Sequence, residues 1–337
     1  MMKYILAIVV AATILACKGD VKQKVGYQKT GDEIIDALSQ QIENAPLVPQ
    51  HYYKRASALY EREDYALAID DLNKALAIDS LNPDYYHLLA DSYMDYYRSR
   101  EALETMRNVL KIYPDRVPSL LKLAELEYIV ERHDVSIYNC NLILKDNPQN
   151  AEAFFMIGLN FRALKEVDKA IGALQTAVEF EPDLIDAWMI LGDLYAEKGD
   201  KKAIDYYNSA ILLAPTKAEP RHSKAYYLQN NGDIPGAIEL YRDIVVTNPE
   251  YSMAYLNSGI LYLQQDSLDR AYEQFDILAG REPQNANAYF YRAQVQFIRG
   301  DMAAAKMDLQ NTLRLSPDDA QALELLKDVE KELAEQG

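Results

Sequence analysis

Between residues 49 and 319 one arrangement of small, large and polar positions returns about every 34 residues. Pro114, Pro148, Pro182, Pro215, Pro249, Pro283 and Pro317 mark it in steps of 34, with one step of 33 from Pro182 to Pro215. Ser80 and Pro46 continue the series backwards. Proline stops a helix and restricts the residue before it, so these positions close units. Early in the units stand large residues: Tyr52, Tyr86, Leu120, Phe154, Trp188, Tyr255 and Tyr289. Four places after each of these comes Ala or Gly, at Ala56, Ala90, Ala124, Gly158, Gly192, Gly259 and Ala293, with Ala225 at the equivalent place of the remaining unit. A second small position follows at Ala68, Ala102, Ser136, Ala170, Ala203, Ala237, Ala271 and Ala305. Beyond it lie Leu72, Met106, Cys140, Leu174, Tyr207, Tyr241, Phe275 and Leu309. Small residues at fixed places let two helices approach, where a large side chain would overpack the contact. Each unit therefore reads as two helices. Polar pairs such as Gly199-Asp200, Gly232-Asp233 and Gly300-Asp301 suit the turn between them. Gly192 and Ala203 are expected to face each other within one hairpin.

The flanks follow the same frame. Thr30 and Glu33 form a Thr-x-x-Glu capping box, followed by Ile34, Leu38 and Ile42 at a spacing of four. Residues 31–48 therefore read as the second helix of a truncated leading unit. Residues 320–337 predict a solitary helix, with Leu323 and Leu326 inward and Lys327 and Glu330 replacing the small and aromatic residues of a full unit. A polar cap of this kind keeps a repeat array soluble.

The pattern resembles the tetratricopeptide repeat, which has an aromatic at position 4, Leu at 7, Gly or Ala at 8, Tyr at 11, Ala at 20, an aromatic at 24, Ala at 27 and Pro at 32. Residues 185–217 fit best, with Trp188, Leu191, Gly192, Tyr195, Ala203, Tyr207, Ala210 and Pro215. That unit lacks one residue in its hairpin turn, which should alter the turn and not the packing. The units fall at 49–82, 83–116, 117–150, 151–184, 185–217, 218–251, 252–285 and 286–319. The fold implied is all-α: a right-handed α-solenoid of about eight hairpins with capping helices at both ends. Arg221 stands where an aromatic is expected, and Glu127 and Gln296 where Tyr is expected, so those hairpins should be looser. The resemblance further implies that the first helix of each unit lines a concave groove. Carried over position by position, the groove would hold Tyr53, Tyr60, His87, Asp91, Glu125, Phe155, Leu159, Met189, Asp193, Tyr226, Leu256, Ile260, Phe290 and Phe297. One subfamily grips C-terminal carboxylates with Lys at 5 and Asn at 9, and no unit here has that pair. An apolar, aromatic groove with acidic points suits a peptide or helix with apolar anchors and some positive charge. Phe155 and Met189 are expected to be groove residues whose loss leaves the fold intact.

Charge narrows the partner class. The formal net charge is −17, which opposes nucleic-acid binding, because phosphate repels an acidic surface. The N-terminus stands apart from the repeats. Lys3 precedes an uncharged, mostly apolar run of 13 residues from Tyr4 to Ala16, too short to span a bilayer, where roughly 20 are needed. It matches the apolar region of a signal peptide. Ile14-Leu15-Ala16-Cys17 resembles a bacterial lipobox, which implies a signal at 1–16 and a lipid (palmitate included) on Cys17. Residues 17–30 then form a polar tether with Lys18, Lys22, Lys24 and Lys29. Lys18, standing where Asp would resemble an inner-membrane retention signal, favours the outer membrane of the cell envelope. With Cys17 lipidated, Cys140 has no partner for a disulfide and reads as a small buried apolar residue.

Catalytic chemistry is not legible. His51, His87, His133 and His222 belong to no metal-ligand spacing, and neither a phosphate-binding glycine loop nor a G-x-S-x-G elbow occurs. The expectation is a non-enzymatic scaffold with no cofactor and no metal. It would be tethered to a membrane, bind a protein or peptide partner and act in envelope assembly. The alternative is a glycan-binding or envelope-enzyme accessory lipoprotein that uses Tyr53, Tyr60 and Asp91.

Overall fold

A computed structural model describes residues 30–336, and the expected signal, Cys17 and most of the tether lie outside them. The described residues form helices and turns, with no strand among them. The chain divides into two compact units, the first ending at Val109 and the second starting at Leu110. The first holds α1 (Glu33–Asn44), α2 (Pro49–Tyr60), α3 (Tyr65–Ile78), α4 (Pro83–Asp95) and most of α5 (Ser99–Ile112). The second holds α6 (Val117–Ile129), α7 (His133–Asp146), α8 (Ala151–Ala163), α9 (Val167–Phe180), α10 (Ile185–Glu197) and α11 (Ala203–Leu213). It continues with α12 (Glu219–Asn230), α13 (Ile234–Thr247), α14 (Ser252–Gln264), α15 (Leu268–Arg281), α16 (Ala286–Ile298), α17 (Met302–Leu315) and α18 (Ala320–Gln336). Within each unit consecutive helices pack pairwise, as in an α-solenoid of helical hairpins.

Every hairpin turns by the same device. Glu63, Tyr97, Glu131, Lys165, Gly199, Gly232, Asp266 and Gly300 occupy one repeat position, and all have φ between 55° and 86°. The next residue's N–H then reaches the carbonyl five residues back, at 2.7–2.9 Å. The pairs are Asp64 to Leu59, Arg98 to Tyr93, Arg132 to Glu127, Glu166 to Phe161, Asp200 to Tyr195, Asp233 to Leu228, Ser267 to Tyr262 and Asp301 to Gln296. This is the Schellman closure, which satisfies carbonyls at the helix end. Glycine reaches positive φ without strain, yet five of the eight turns do without it. The short fifth hairpin keeps Gly199 and its closure. The missing residue is absorbed just beyond, where Ala203, Ile204 and Asp205 bond three residues back and wind the start of α11 tightly.

The small early position faces the large late one of the same hairpin. A Cβ on Gly192 would lie 2.5 Å from a ring carbon of Tyr207, one on Gly158 2.6 Å from Leu174, and one on Gly259 2.6 Å from Phe275. The atoms nearest such a Cβ on Gly192 all belong to Tyr207, so that ring, and not Ala203, is its tightest neighbour. In an antiparallel hairpin these two positions lie at the same height on their helices. Around such contacts the cores are aliphatic and aromatic, as in the cluster of Leu174, Leu191, Leu194 and Tyr207. Burial pushes the Cys140 thiol up to about 12, so it packs as an apolar group.

In three units the large opening residue ties the hairpin to the preceding loop. Trp188 Nε1 donates to the Pro182 carbonyl at 2.7 Å, Tyr86 Oη to that of Ser80 at 3.0 Å, and Tyr289 Oη to that of Pro283 at 3.3 Å. Arg221 makes the same bond to the Pro215 carbonyl at 2.7 Å. There the guanidinium replaces the aromatic donor. Glu127 is fully buried and pairs with Arg132 at 3.1 Å, while the Gln296 side-chain oxygen is buried without a partner.

Both caps differ in detail from expectation. Asp32, not Thr30, caps α1, its carboxylate accepting from the N–H groups of Ile34 and Ile35. Thr30 Oγ1 instead donates to Asp36 at 2.7 Å. In α18 the buried residues are Ala322 and Val329, flanked by Leu325, Leu326 and Leu333. Leu323, expected to point inward, is instead 42% exposed.

Candidate functional site

The first helices of the hairpins touch one another as well as their partners. In the first unit α2 meets α4. In the second, α6 meets α8, α10 meets α12, α14 meets α16, and α16 meets α18. Within each unit the first helices thus lie close together, and the residues they turn away from the second helices form a face of that unit. The candidate residues sit on that face to differing depths.

In the first unit Tyr53 and Tyr60 are half-buried. Both pack on the core of Ala56, Leu59, Leu72 and Tyr85. The Tyr53 ring lies 5.2 Å from that of Tyr85. Tyr60 donates its hydroxyl to Asp95 of the next hairpin and meets Tyr65 edge-on at 5.5 Å. Burial, then the Asp95 and Asp91 carboxylates, push the Tyr60 hydroxyl well above its ordinary range, so it remains a proton donor. His87 and Asp91 are half-buried on α4. Tyr60 and Asp95 are brought together although 35 residues separate them.

In the second unit Glu125 is held by Lys122 at 2.9 Å. Leu159, Phe155 and Met189 are half-buried, and the last two pack against the core around Leu191 and Tyr195. They serve the fold as well as the face, so losing both is expected to cost some stability as well as binding. Asp193 accepts from the Tyr207 hydroxyl at 3.0 Å and lies 3.6 Å from Arg162. Burial raises its carboxyl above the usual range, while the Tyr207 bond and the Arg162 charge oppose this. Tyr226 is 53% exposed, and Leu256 and Ile260 are half-buried beside Leu263. Phe297 is half-buried. Phe290 is 4% exposed, in the core with Ala293 and Leu309, so it packs between helices and is not offered to a ligand. A flat aromatic at that height on α16 falls into the gap against Tyr291, whose ring it meets edge-on at 5.3 Å.

The sequence reading missed Met253 and Ile298, which are 48% and 54% exposed on the same face. Their repeat positions were the available signal. It also missed a polar seam. Arg55 forks onto Asp71 at 2.6 and 2.7 Å and donates to Ser39 at 2.7 Å. Arg292 repeats this with Asp308 at 2.7 Å and Asp276 at 2.6 Å. Lys224 reaches Asn208 at 2.8 Å, again 16 residues back. All three stand where the pattern has Leu, and each reaches a residue of the preceding second helix. An arginine with an aspartate 16 residues later, in both terminal repeats, was the legible sign.

No group of His, Cys, Asp and Glu suited to a metal occurs among the described residues. No described helix is long and apolar enough to cross a membrane.

Comparison with known proteins agrees with this architecture. Profiles of the tetratricopeptide repeat match residues 35–83, 152–183, 185–217, 222–279 and 261–320, more than half of the chain. The chain is 27% identical over 289 residues to the Arabidopsis thaliana protein CTR9 homolog, covering 79% of this chain and 26% of that protein. It is 20% identical over 274 residues to anaphase-promoting complex subunit 3 of Schizosaccharomyces pombe, covering 80% of this chain and 39% of that one. It therefore spans from about a quarter to two fifths of these relatives. Among solved structures, the hetero-tetramer Cut9-Hcn1 aligns with a TM-score of 0.47 at 20% identity, covering 88% of this chain and 58% of that one. Hairpins of this kind form scaffolds suited to protein–protein interaction. The chain belongs to the tetratricopeptide-repeat family.

Proposed function

We propose that the protein is an interaction scaffold that holds a protein or peptide partner against the face of its first helices. The observation that carries this reading is that face itself. It mixes half-buried apolar side chains with carboxylates, and Tyr226, Met253 and Ile298 stand about half exposed on it. A relative that is a subunit of a multi-protein complex fits such a role. The scaffold houses no catalysis of its own and takes neither cofactor nor metal. We further propose that Cys17 carries a lipid and holds the scaffold at a membrane, the outer membrane of a cell envelope, where it assists complex assembly. This part is supported by the apolar run and the Ile14-Leu15-Ala16-Cys17 sequence alone. Glycan binding asks for open ring faces, and it is less well supported because Tyr53 lies against Tyr85 and Tyr60 against Tyr65.

Site-specific photo-crosslinking in cells tests the scaffold reading. A crosslinker at Tyr226 is expected to capture a discrete partner protein, and one at the exposed Asp168 of α9 is not. Capture from Asp168 with none from Tyr226 would place the working surface on the second helices and overturn the proposal.

A further inference from the structure

The face of the first helices changes character within the second unit. At the second, fifth, ninth, twelfth and thirteenth places of the hairpins, α6 carries Glu125, α8 carries Glu152 and Arg162, and α12 carries Glu219. At the same places α10 adds Asp186, Asp193 and, where it ends, Glu197. The corresponding places on α14 and α16 hold no charged residue. They present Met253, Leu256, Ile260, Leu263, Phe297 and Ile298, with Met253 and Ile298 about half exposed. Charge returns on α18 with Glu324 and Asp328, both exposed and one helical turn apart, then Lys331, which lies 3.9 Å from Glu335, and Glu332, so the margin is acidic on balance. An apolar window thus lies between two acidic margins.

Two physical arguments choose the occupant. An extended peptide brings an N–H and a C=O at every residue, and each must find a partner once water leaves. Within the window only the carboxamides of Gln264, Asn287 and Gln294 are available, too few for such a backbone. A helix satisfies its own backbone and needs only an apolar surface to lie on. The margins then select charge, because Glu219 on one side and Glu324 with Asp328 on the other favour cations at both ends of the occupant. With neighbouring helices taken at the usual packing distance of about 8–10 Å, three steps from α12 to α18 match the length of a helix of about 16–20 residues. Resting on the groove reading above, we infer that α14 and α16 dock an amphipathic helix of a partner protein, its apolar face inward and lysine or arginine at both ends.

The test uses the full chain and a synthetic peptide of about 18 residues, the helix length set by that span. One face carries leucines and both ends carry lysines. One control spreads the leucines so that no face forms, and a second replaces the lysines with glutamate. Binding is followed by fluorescence anisotropy and located by hydrogen exchange. The amphipathic basic peptide is expected to bind at least about tenfold more tightly than either control and to protect α14 and α16. Met253→Lys with Ile298→Lys, both surface changes, should keep the circular dichroism spectrum and abolish that binding. Glu324→Gln with Asp328→Asn should weaken it and reduce its salt dependence. Equal binding of the control peptides, or wild-type binding by the Met253/Ile298 variant, overturns the inference. Protection confined to α8 and α10 also overturns it while leaving the groove reading standing. That reading fails separately, by crosslinks arising only from the second helices.

Discussion

Gly192 on α10 lies flat against the ring of Tyr207 on α11, so close that a Cβ there would stand 2.5 Å from the ring. Tyr207 is 3% exposed and its hydroxyl is held by Asp193, so it has little room to withdraw. Gly192→Ala should therefore destabilise the protein by about 1–3 kcal/mol, and Gly192→Leu by more. In a repeat array each hairpin leans on its neighbours, so the damage should appear first in the adjoining hairpins. Denaturant melts with hydrogen exchange along α8 to α13 check both points. Wild-type stability for Gly192→Ala would show that the ring moves freely.

The left-handed turn position offers gains in stability. Lys165 adopts φ of 60° where Gly199, Gly232 and Gly300 serve elsewhere. A side chain in this region costs about 1–2 kcal/mol, partly offset by the greater freedom glycine has when unfolded. Lys165→Gly should stabilise by about 0.5–1 kcal/mol, and Gly199→Ala should destabilise by about 1 kcal/mol. Thermal melts of the two variants should move in opposite directions.

The Arg55–Asp71 pair is legible as a double-mutant cycle. Asp71 is 2% exposed and receives two of the guanidinium's N–H groups. Removing it alone leaves a largely buried cation, so Asp71→Ala should cost about 3–5 kcal/mol. Arg55→Leu with Asp71→Ala should recover much of this, since Leu191 fills the same place in the fifth hairpin. The coupling should exceed about 1 kcal/mol in urea titrations, and additive losses would refute the pairing.

Asp193 gives a pH signature whose sign follows from burial. Its carboxyl is raised in the folded state, so between the unfolded and folded values the folded protein holds more protons. Its cost is therefore absent at the acid end, grows as pH rises through that interval and is complete above the folded value. Asp193→Asn should gain on the wild type across that interval and keep a constant advantage above it. The check is the difference between the two stability–pH curves, and a difference that shrinks with rising pH would contradict it.

The tether is tested at its expected lipid. Cys17→Ser should release the protein from the membrane fraction and leave it unprocessed by lipid attachment, as read by fractionation and intact mass. Retention of an unprocessed Cys17→Ser chain in membranes would replace the lipid anchor with an uncleaved one.

The amino-acid sequence alone determined the all-α class, the hairpin pattern and the family resemblance. A solenoid is specified by neighbours in sequence, so its small and large positions recur where the eye can align them. The rest depended on distances that sequence spacing does not encode. Gly192 and Ala203 are both small and 11 residues apart, yet the tightest neighbour of the glycine is the ring of Tyr207, because hairpin geometry sets which heights coincide. Arg221 departs from the aromatic pattern, yet its guanidinium bonds the Pro215 carbonyl where the aromatic donor would. Phe290 and Met253 hold places of the same nominal face, but one is buried and the other half exposed, since depth depends on how neighbouring helices close over each side chain. Tertiary structure likewise decided that five turns accept a left-handed residue other than glycine, because the carbonyl closure and the packed helices on either side outweigh the local strain.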